Sequence, residues 1–222
     1  MEQNTDIIID FESLGYAPEC AVINLASVPF VNDPNNPPTF KELCDRAFYV
    51  KFDIPSQRGI RVFDKPVIEW WKSQSVEAQE QLKPNGTEVS ISEGLDRFYD
   101  FLDANNVKPR FSQMWARGDV FDVPLLINLL REKHRTRDTN MVEPVRFWNT
   151  RDVRTAIEST LLTRNMCECP LPNGALNGFV AHDAIHDCAR DVLMLIYAKR
   201  YAMGLEDLPV DPDPNSVKKQ RG

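Results

Sequence analysis

The amino-acid sequence predicts an α/β fold, in which a mixed β-sheet combines an antiparallel meander with parallel strands and carries helices on both faces. Three apolar segments with short connections lie before residue 55, and from Pro66 onward segments with helical periodicity alternate with short apolar ones. The composition is that of a globular chain, because 42% of the 222 residues are hydrophobic and 27% are charged. A chain of this size buries roughly 70% of its unfolded surface, so its core needs no disulfide.

The N-terminal part of the chain predicts three antiparallel strands. The first covers residues 5–10, an apolar run that ends at an aspartate, and the second covers residues 21–30. The third covers residues 40–52, after the turn-rich sequence NDPNNPP at 32–38. Because the connections between these strands are short, we expect them to form a meander.

The rest of the chain predicts helices that alternate with short strands. Helices are expected from Pro66 and at residues 75–82, 90–104, 123–133, 152–162 and 183–202, and strands at 111–116 and 145–148. Asp152 is expected to cap the helix that follows it. This order of elements is that of a ribonuclease H-like sheet. One domain is predicted over residues 1–208, and residues 209–222 are predicted to form a disordered tail.

Charge, hydropathy and cysteine content exclude several classes of protein. The net charge of −7 argues against a large basic surface that follows long nucleic acids, although it is compatible with an enzyme that grips a few nucleotides. No run of 18 apolar residues exists, so no membrane span is predicted, and we expect no signal peptide. The five scattered cysteines favour reduced thiols and a cytoplasmic location. No feature of the sequence predicts an oligomer.

Two acidic residues end the first predicted strand. Asp10 and Glu12 are two positions apart, so on a strand their side chains lie on one face of the sheet. Neighbouring carboxylates repel each other, and a hard divalent cation with oxygen ligands is their natural counter-charge. By itself, this pair is more typical of a solvated strand end with two acids.

A third acidic residue, Asp122, lies at the start of the predicted helix at 123–133. An aspartate at this position can act as an N-cap or interact favourably with the helix dipole, without any catalytic role. Asp119 lies three residues earlier and competes with Asp122 for both the structural and the catalytic interpretation.

The segment AHDAIHD at 181–187 places His182 in a loop and Asp187 in the first turns of the last helix. An acidic side chain on a mostly apolar helix is costly unless it is paired or bound to a metal. The alternative is an ordinary helix start that is rich in aspartate.

Together, the three segments resemble the motifs of the DEDDh family of 3′→5′ exonucleases. The D-x-E motif of the family resembles Asp10-Phe11-Glu12, and its F-D motif before a helix resembles Phe121-Asp122. Its A-H-x-A-x-x-D motif resembles the segment at 181–187. Each motif alone is weak, but three in order, at strand and helix starts that the fold predicts, are specific.

A closer resemblance, to the exonucleases of T-even-type bacteriophages, covers nearly the whole chain. The segments that carry it are IEWW at 68–71, FWNTRD at 147–152, GFVAHD at 178–183 and YAMGLED at 201–207. This resemblance implies 3′→5′ degradation of single-stranded DNA. A mycobacterial exoribonuclease group shares the Trp-Trp and Arg-Asp features, so RNA stays open as the substrate.

The family mechanism implies a role for each motif residue. The carboxylates that would hold two Mg²⁺ or Mn²⁺ ions, about 4 Å apart, are Asp10, Glu12, Asp122 and Asp187. His182 would act as the general base for the attacking water, and a nucleoside 5′-monophosphate would leave. His186 has the same spacing to Asp191 as His182 has to Asp187, but the residues around His182 match the family pattern.

Five further residues are candidates for contact with the substrate. Ser13 continues the first motif, and Leu14 and Tyr16 follow it closely enough to wedge against the terminal base. Trp70 and Trp71 lie about 100° apart on a helix, so one is expected to pack inside while the other could stack on a base, worth ~1–3 kcal/mol. Packing of both tryptophans in the core is the alternative.

Two other functions compete with a DNA exonuclease. The first keeps the chemistry and changes the substrate to RNA or very short oligonucleotides. The second is a catalytically silent ribonuclease H-like module that binds a partner. The intact set of acids and His182 argue against the silent module, because such a module has no use for clustered carboxylates.

Overall fold

The computed structural model describes residues 4–163 and 168–217, and its centre is a five-stranded sheet in the order β3-β2-β1-β4-β5. The strands are β1 (Asp6–Ser13), β2 (Val22–Phe30), β3 (Phe48–Lys51), β4 (Met114–Ala116) and β5 (Thr150–Asp152). Strand β2 pairs antiparallel with β1 and β3, whereas β4 pairs parallel with β1 and β5. The predicted mixed sheet, with its meander and its parallel strands, is therefore confirmed.

Helices cover both faces of the sheet, as predicted. They are α1 (Phe40–Asp45), α2 (Lys65–Lys72), α3 (Val76–Gln79), α4 (Ile91–Ala104), α5 (Asp122–His134), α6 (Val153–Leu161) and α7 (Ala184–Ala202). Asp152 caps α6 as expected, because its carboxylate accepts the N–H of Thr155 at 2.7 Å. Within the described ranges, none of the helices combines the length and apolarity that crossing a membrane requires.

Side chains on the two faces of strand β1 pack into two different apolar cores. Ile7, Ile9 and Phe11 pack with residues of α4 and α5 on one face, whereas Ile8 packs with residues of α6 and α7 on the other. Because side chains alternate along a strand, Asp10 and Glu12 lie on the face of Ile8. The strand therefore presents its two acids to α7.

The third predicted strand, at 40–52, is wrong over its first half. Thr39 caps α1: its hydroxyl accepts the N–H of Glu42 at 3.2 Å, and the Glu42 carboxylate accepts the N–H of Thr39 at 2.7 Å. This reciprocal capping box stabilises a helix at Phe40–Asp45, and β3 is confined to Phe48–Lys51. The T-x-x-E signal was present in the sequence, and it outweighs the apolar residues that suggested a strand.

The strand predicted at 145–148 is also misplaced. Phe147–Asn149 form a 3₁₀ turn, and β5 begins at Thr150, opposite Met114 of β4. Phe147 and Trp148 are exposed, so the apolar residues that suggested a strand do not enter the sheet.

The segment after α7 packs against the domain, contrary to the prediction of a disordered tail from residue 209. The buried Asp213 accepts the N–H of Leu176 at 3.0 Å and donates its own N–H to Leu171 O at 2.9 Å. The hydroxyl of Ser216, also buried, accepts the N–H of Leu171 at 2.9 Å. Residues 218–222 of the predicted tail lie outside the described residues.

This packing predicts that Asp213→Ala destabilises the protein by about 1–3 kcal/mol, because the N–H of Leu176 loses its buried partner. The control is Asp211→Ala, which removes an exposed carboxylate bound to Asn173 Nδ2 at 2.7 Å. We expect the control to stay within about 0.5 kcal/mol of the wild type. Urea unfolding measures both, and equal stability of the two variants would contradict the prediction.

Candidate active site

The four acids that the sequence singles out converge at one end of the sheet. Asp10 and Glu12 lie on β1, and Asp122 is the first residue of α5. The backbone N–H of Phe11 donates to Asp122 Oδ1 at 3.0 Å, which holds Asp122 beside β1. Asp187 comes from the first turn of α7. Three separate elements therefore supply the acidic cluster.

Two of these acids and a neighbouring histidine have the geometry of a cation site. Glu12, His182 and Asp187 each offer one ligand atom, and these three atoms lie within 4.8 Å of one another. Carboxylate oxygens are the ligands that Mg²⁺ and Mn²⁺ prefer. The residues present therefore fit the divalent cations that the motifs predict.

The pKa values of these acids also indicate that the cluster lacks positive charge. Burial, and then the charges of Glu12, Asp122 and Asp187, raise the pKa of Asp10 well above its usual value. Burial, and then the charge of Asp187, raise the pKa of Glu12 in the same way. The pKa of Asp122 is raised by burial to about 7. Without a cation the cluster is strained by like charge, and a bound cation would relieve it.

His182 lies in the loop before α7, as predicted, and its backbone is unusual. Its φ is +64°, in the left-handed region that residues other than glycine rarely adopt. The N–H of His182 donates to Asp187 Oδ2 at 3.0 Å, and Asp183 caps α7 by accepting the N–H groups of Ile185 and His186. These bonds fix the loop to the helix start and place the imidazole beside Glu12.

The two adjacent tryptophans have different environments. Trp71 is 1% exposed, and its indole N–H donates to Ser13 O at 2.8 Å, so it belongs to the core. Trp70 is 42% exposed, and its ring meets that of His182 edge-on, with centroids 4.9 Å apart and planes at 82°. The first of the two alternatives therefore holds: one tryptophan packs inside and the other faces the site.

A cavity of about 470 Å³ lies beside the acids. Glu12, Ser13, Tyr16, Trp70 and Trp71 are among the residues that line it, so four of the five predicted substrate contacts reach it together with an acid of the cluster. Leu14 does not, because its side chain is buried in a small apolar cluster with Ile23 and Trp71. The prediction that Leu14 wedges against a terminal base is therefore not supported by its position in the core.

Comparisons with known proteins identify the family. The 3′-5′ exoribonuclease Rv2179c-like domain matches residues 5–197. The exodeoxyribonuclease of Enterobacteria phage T4 is 49% identical over 225 residues, which cover 97% of this chain and 99% of that protein. The chain belongs to this family of exonucleases. It is a 3′-5′ exonuclease, so the resemblance to phage exonucleases that its sequence predicts is confirmed.

Two solved structures share the fold of the exonuclease. The nuclease domain of 3′hExo, a DEDDh family member bound to rAMP, has a TM-score of 0.56 at 10% identity and covers 91% of this chain and 94% of its own. E. coli exonuclease I in complex with single-stranded DNA has a TM-score of 0.53 at 11% identity and covers 90% of this chain. The exonuclease spans only 41% of that longer protein.

The alternative residues, His186 and Asp191, each have structural partners, although Asp191 lies close enough to the acidic cluster of the exonuclease to add to the repulsion of like charges there. His186 Nδ1 accepts the N–H of Val180 at 3.0 Å, and its ring packs against Phe40 with centroids 5.3 Å apart. Asp191 is buried, and both of its oxygens accept the Nε–H of Arg117, at 2.8 and 2.9 Å. Both residues thus have structural partners, whereas His182 and Asp187 are the pair that offers atoms to the candidate cation site.

The sequence reasoning missed the cations that accompany the acids. Arg190 contacts Asp187 Oδ1 at 2.8 Å and Asp191 Oδ1 at 3.3 Å. Its spacing of three residues from Asp187 is that of a helical ion pair, so the sequence held a signal for it. Arg117 lies 74 residues from its partner Asp191, and no local pattern could have linked the two.

Relief of the charge repulsion should be measurable in metal-free protein. We expect Asp10→Asn in EDTA to raise the melting temperature by about 2–4 °C for each kcal/mol of repulsion removed. Stability of the metal-free wild type should also rise as the pH falls from 8 to 6, because folded Asp122, with its pKa raised to about 7, takes up a proton there that the unfolded chain does not.

The control for this experiment is Asp119→Asn, which removes an exposed acid near the same helix start. Calorimetry of the three proteins, with and without Mg²⁺, provides the test. A variant of Asp10 that is less stable than the wild type in EDTA, or equal stabilisation by Asp119→Asn, would contradict the account of the cluster.

Proposed function

We propose that the exonuclease removes nucleoside 5′-monophosphates from the 3′ end of single-stranded DNA with the help of two Mg²⁺ or Mn²⁺ ions. The observation that carries the proposal is the convergence of four acids and His182 beside a cavity at one end of the sheet. The choice of DNA is supported by the 49% identity to the exodeoxyribonuclease of phage T4 over nearly the full length of both chains.

Asp10, Glu12, Asp122 and Asp187 would hold the cations. When bound, the two ions supply a water of lowered pKa and stabilise charge on the leaving 3′-oxygen. The protein's own contribution is to keep the four carboxylates close in spite of their repulsion. The N–H of Phe11 orients Asp122, and the N–H of His182 and the guanidinium of Arg190 orient Asp187.

His182 is the group that accepts the proton of the attacking water. Its ring nitrogen lies within 4.8 Å of ligand atoms of Glu12 and Asp187, so it borders the position that the water would take. The edge of Trp70 packs against its ring and limits the orientations of the imidazole. A positioned general base is typically worth ~10²–10⁴ in rate.

These roles predict that His182→Ala lowers kcat at least ~100-fold while cation binding is largely retained. His186→Ala should keep kcat within about tenfold and act mainly on stability, because the N–H of Val180 loses its acceptor. Single-turnover kinetics at saturating Mg²⁺ measure both variants. If His186→Ala were the inactive one, the assignment of the third motif would be wrong by one helical turn.

RNA is the second candidate substrate, and the observation that favours it is the description of the matching family as exoribonuclease-like. The two substrates differ by a 2′-hydroxyl at each sugar, which a protein recognises through hydrogen bonds at the site. The cavity offers side chains of both polar and aromatic character, and these suit either substrate.

The decisive experiment is digestion of a matched pair of single-stranded 20-mers, one of DNA and one of RNA, with labels at the 5′ end. We expect progressive shortening of the DNA from its 3′ end with release of 5′-monophosphates, and little loss of the RNA. EDTA should abolish the activity, and Mg²⁺ or Mn²⁺ should restore it. Faster digestion of RNA would overturn the choice of substrate, and full activity in EDTA would overturn the role of the cations.

We propose that the exonuclease acts in the cytoplasm of a host cell. The free thiols of Cys20, Cys44, Cys169 and Cys188 suit a reducing compartment, and the T4 relative is a phage protein.

A further inference from the structure

Three exposed aromatic side chains lie at the opposite end of the sheet from the acids, where β1, β4 and β5 begin. They are Phe111, Phe147 and Trp148, which are 67%, 68% and 56% exposed. The rings of Phe147 and Trp148 touch edge-on, with centroids 5.0 Å apart and planes at 80°. A single exposed aromatic residue needs no explanation, but a group of three at one place marks an interaction site.

One hydrogen bond joins the two segments that carry these rings. The N–H of Arg146 donates to Pro109 O at 2.8 Å, which brings the turn at 108–111 beside residues 146–148. In the sheet, Met114 pairs with Thr150, so β4 and β5 begin side by side just after these segments. Phe111, Phe147 and Trp148 therefore belong to one region of the surface.

Five basic residues lie in or next to the segments that carry these rings, or line a cavity with Phe111, and we call the eight residues together the rear surface. The basic residues are Lys108, Arg110, Arg146, Arg151 and Lys199. Within residues 4–163 and 168–217, no carboxylate lies within 4.0 Å of any of their charged nitrogens. The charges of the exposed Lys108 and Arg110 are thus available to an external anion, whereas Arg151 and Lys199 also attract the carboxylate of Asp6.

Two of these basic residues, Arg151 and Lys199, lie next to the aromatic residues. The Arg151 guanidinium donates to Trp148 O at 2.6 Å, and Lys199 and Phe111 line the same cavity of about 290 Å³. The acid in this cavity, Asp6, is buried, accepts the N–H of Gln113 at 2.8 Å and interacts with Lys199 and Arg151, so it offsets one of the five positive charges. The rear surface is therefore positive on a chain whose net charge is −7.

We propose that the rear surface binds the upstream part of a single-stranded nucleic acid whose 3′ end lies in the active site. Single strands are bound by cations that contact phosphates and by aromatic rings on which bases stack, and the rear surface combines both. An acidic protein segment would use the cations but has few flat rings to place on Phe147 and Trp148. The choice of a nucleic acid rests on the proposed function.

The separation of the two sites sets a minimum length for a strand that reaches both. From Asp6 to Glu12, β1 covers six residues, or roughly 20 Å at ~3.3 Å per residue. A strand stacked as in a duplex advances about 3.4 Å per nucleotide, so about six stacked nucleotides span this distance. The rear surface therefore acts on long strands and not on dinucleotides, and it holds the strand while its 3′ end is shortened.

The first test measures binding without chemistry. A 5′-labelled 30-nucleotide DNA is titrated with protein in EDTA and followed by fluorescence anisotropy. We expect Trp148→Ala to weaken binding about tenfold and Trp148→Phe to restore most of it, because a ring for stacking returns. The double variant Lys108→Gln/Arg110→Gln should lower the slope of log Kd against log salt by about 1.4, the share of two phosphates.

The matched control is Arg135→Gln/Arg137→Gln, which removes two exposed charges after α5, outside the rear surface. Binding by the control should equal that of the wild type. The proposal is overturned if the wild type does not bind the strand in EDTA. That result is expected if the rear surface binds an acidic protein and not a nucleic acid. It is also overturned if the control weakens binding as much as the rear-surface variants do.

The second test separates this proposal from the proposed function. For the Trp148→Ala variant we expect KM for the 30-mer to rise about tenfold, with kcat unchanged and with no effect on a dinucleotide. If the wild type binds DNA through Trp148 in EDTA but degrades no DNA, the proposed function fails and the rear surface stands. If it degrades the 30-mer and Trp148→Ala has unchanged Kd and KM, the rear surface fails and the proposed function stands.

Discussion

The close approach of α7 to β1 is the contact on which the site depends, since it forces acids from both elements together. The approach is possible because small side chains line the contact: Cys188 Sγ lies 4.0 Å from Ile8 O and 3.9 Å from Ala26 O. A larger side chain at this position would push the helix away from the sheet. Asp187 would then lose its place beside Glu12.

The negative charge of four neighbouring carboxylates needs compensation. The exonuclease provides it first with backbone N–H groups and then with the guanidinium groups behind them. Backbone N–H groups bind Asp122 and Asp187 directly. Behind them, the buried Asp191 binds both Arg117 and Arg190, and Arg190 in turn reaches Asp187. Asp191 thus has a structural role, since its carboxylate accepts contacts from two mostly buried guanidinium groups.

The sequence predicted what short-range geometry controls. The period of two along β1 put Asp10 and Glu12 on one face, and the cap at Asp152 and the loop position of His182 were visible in the local pattern. It failed where two local signals compete, as at 40–45, where a capping box and an apolar run pointed to different structures. It also failed where packing decides, because nothing local distinguishes buried Trp71 from half-exposed Trp70.

The rear surface could not be predicted from the sequence for a different reason. Its cations come from three separate segments, at 108–110, 146–151 and 199, so the sequence contains no basic run that would reveal them. The fold divides charge between the two ends of the sheet, with four acids at one end and five basic residues around the buried Asp6 at the other. Without divalent cations the acidic end repels phosphates, whereas attraction at the basic end persists. A strand can therefore be held before the catalytic cations bind, so capture of the strand and hydrolysis become separate steps with different ionic requirements.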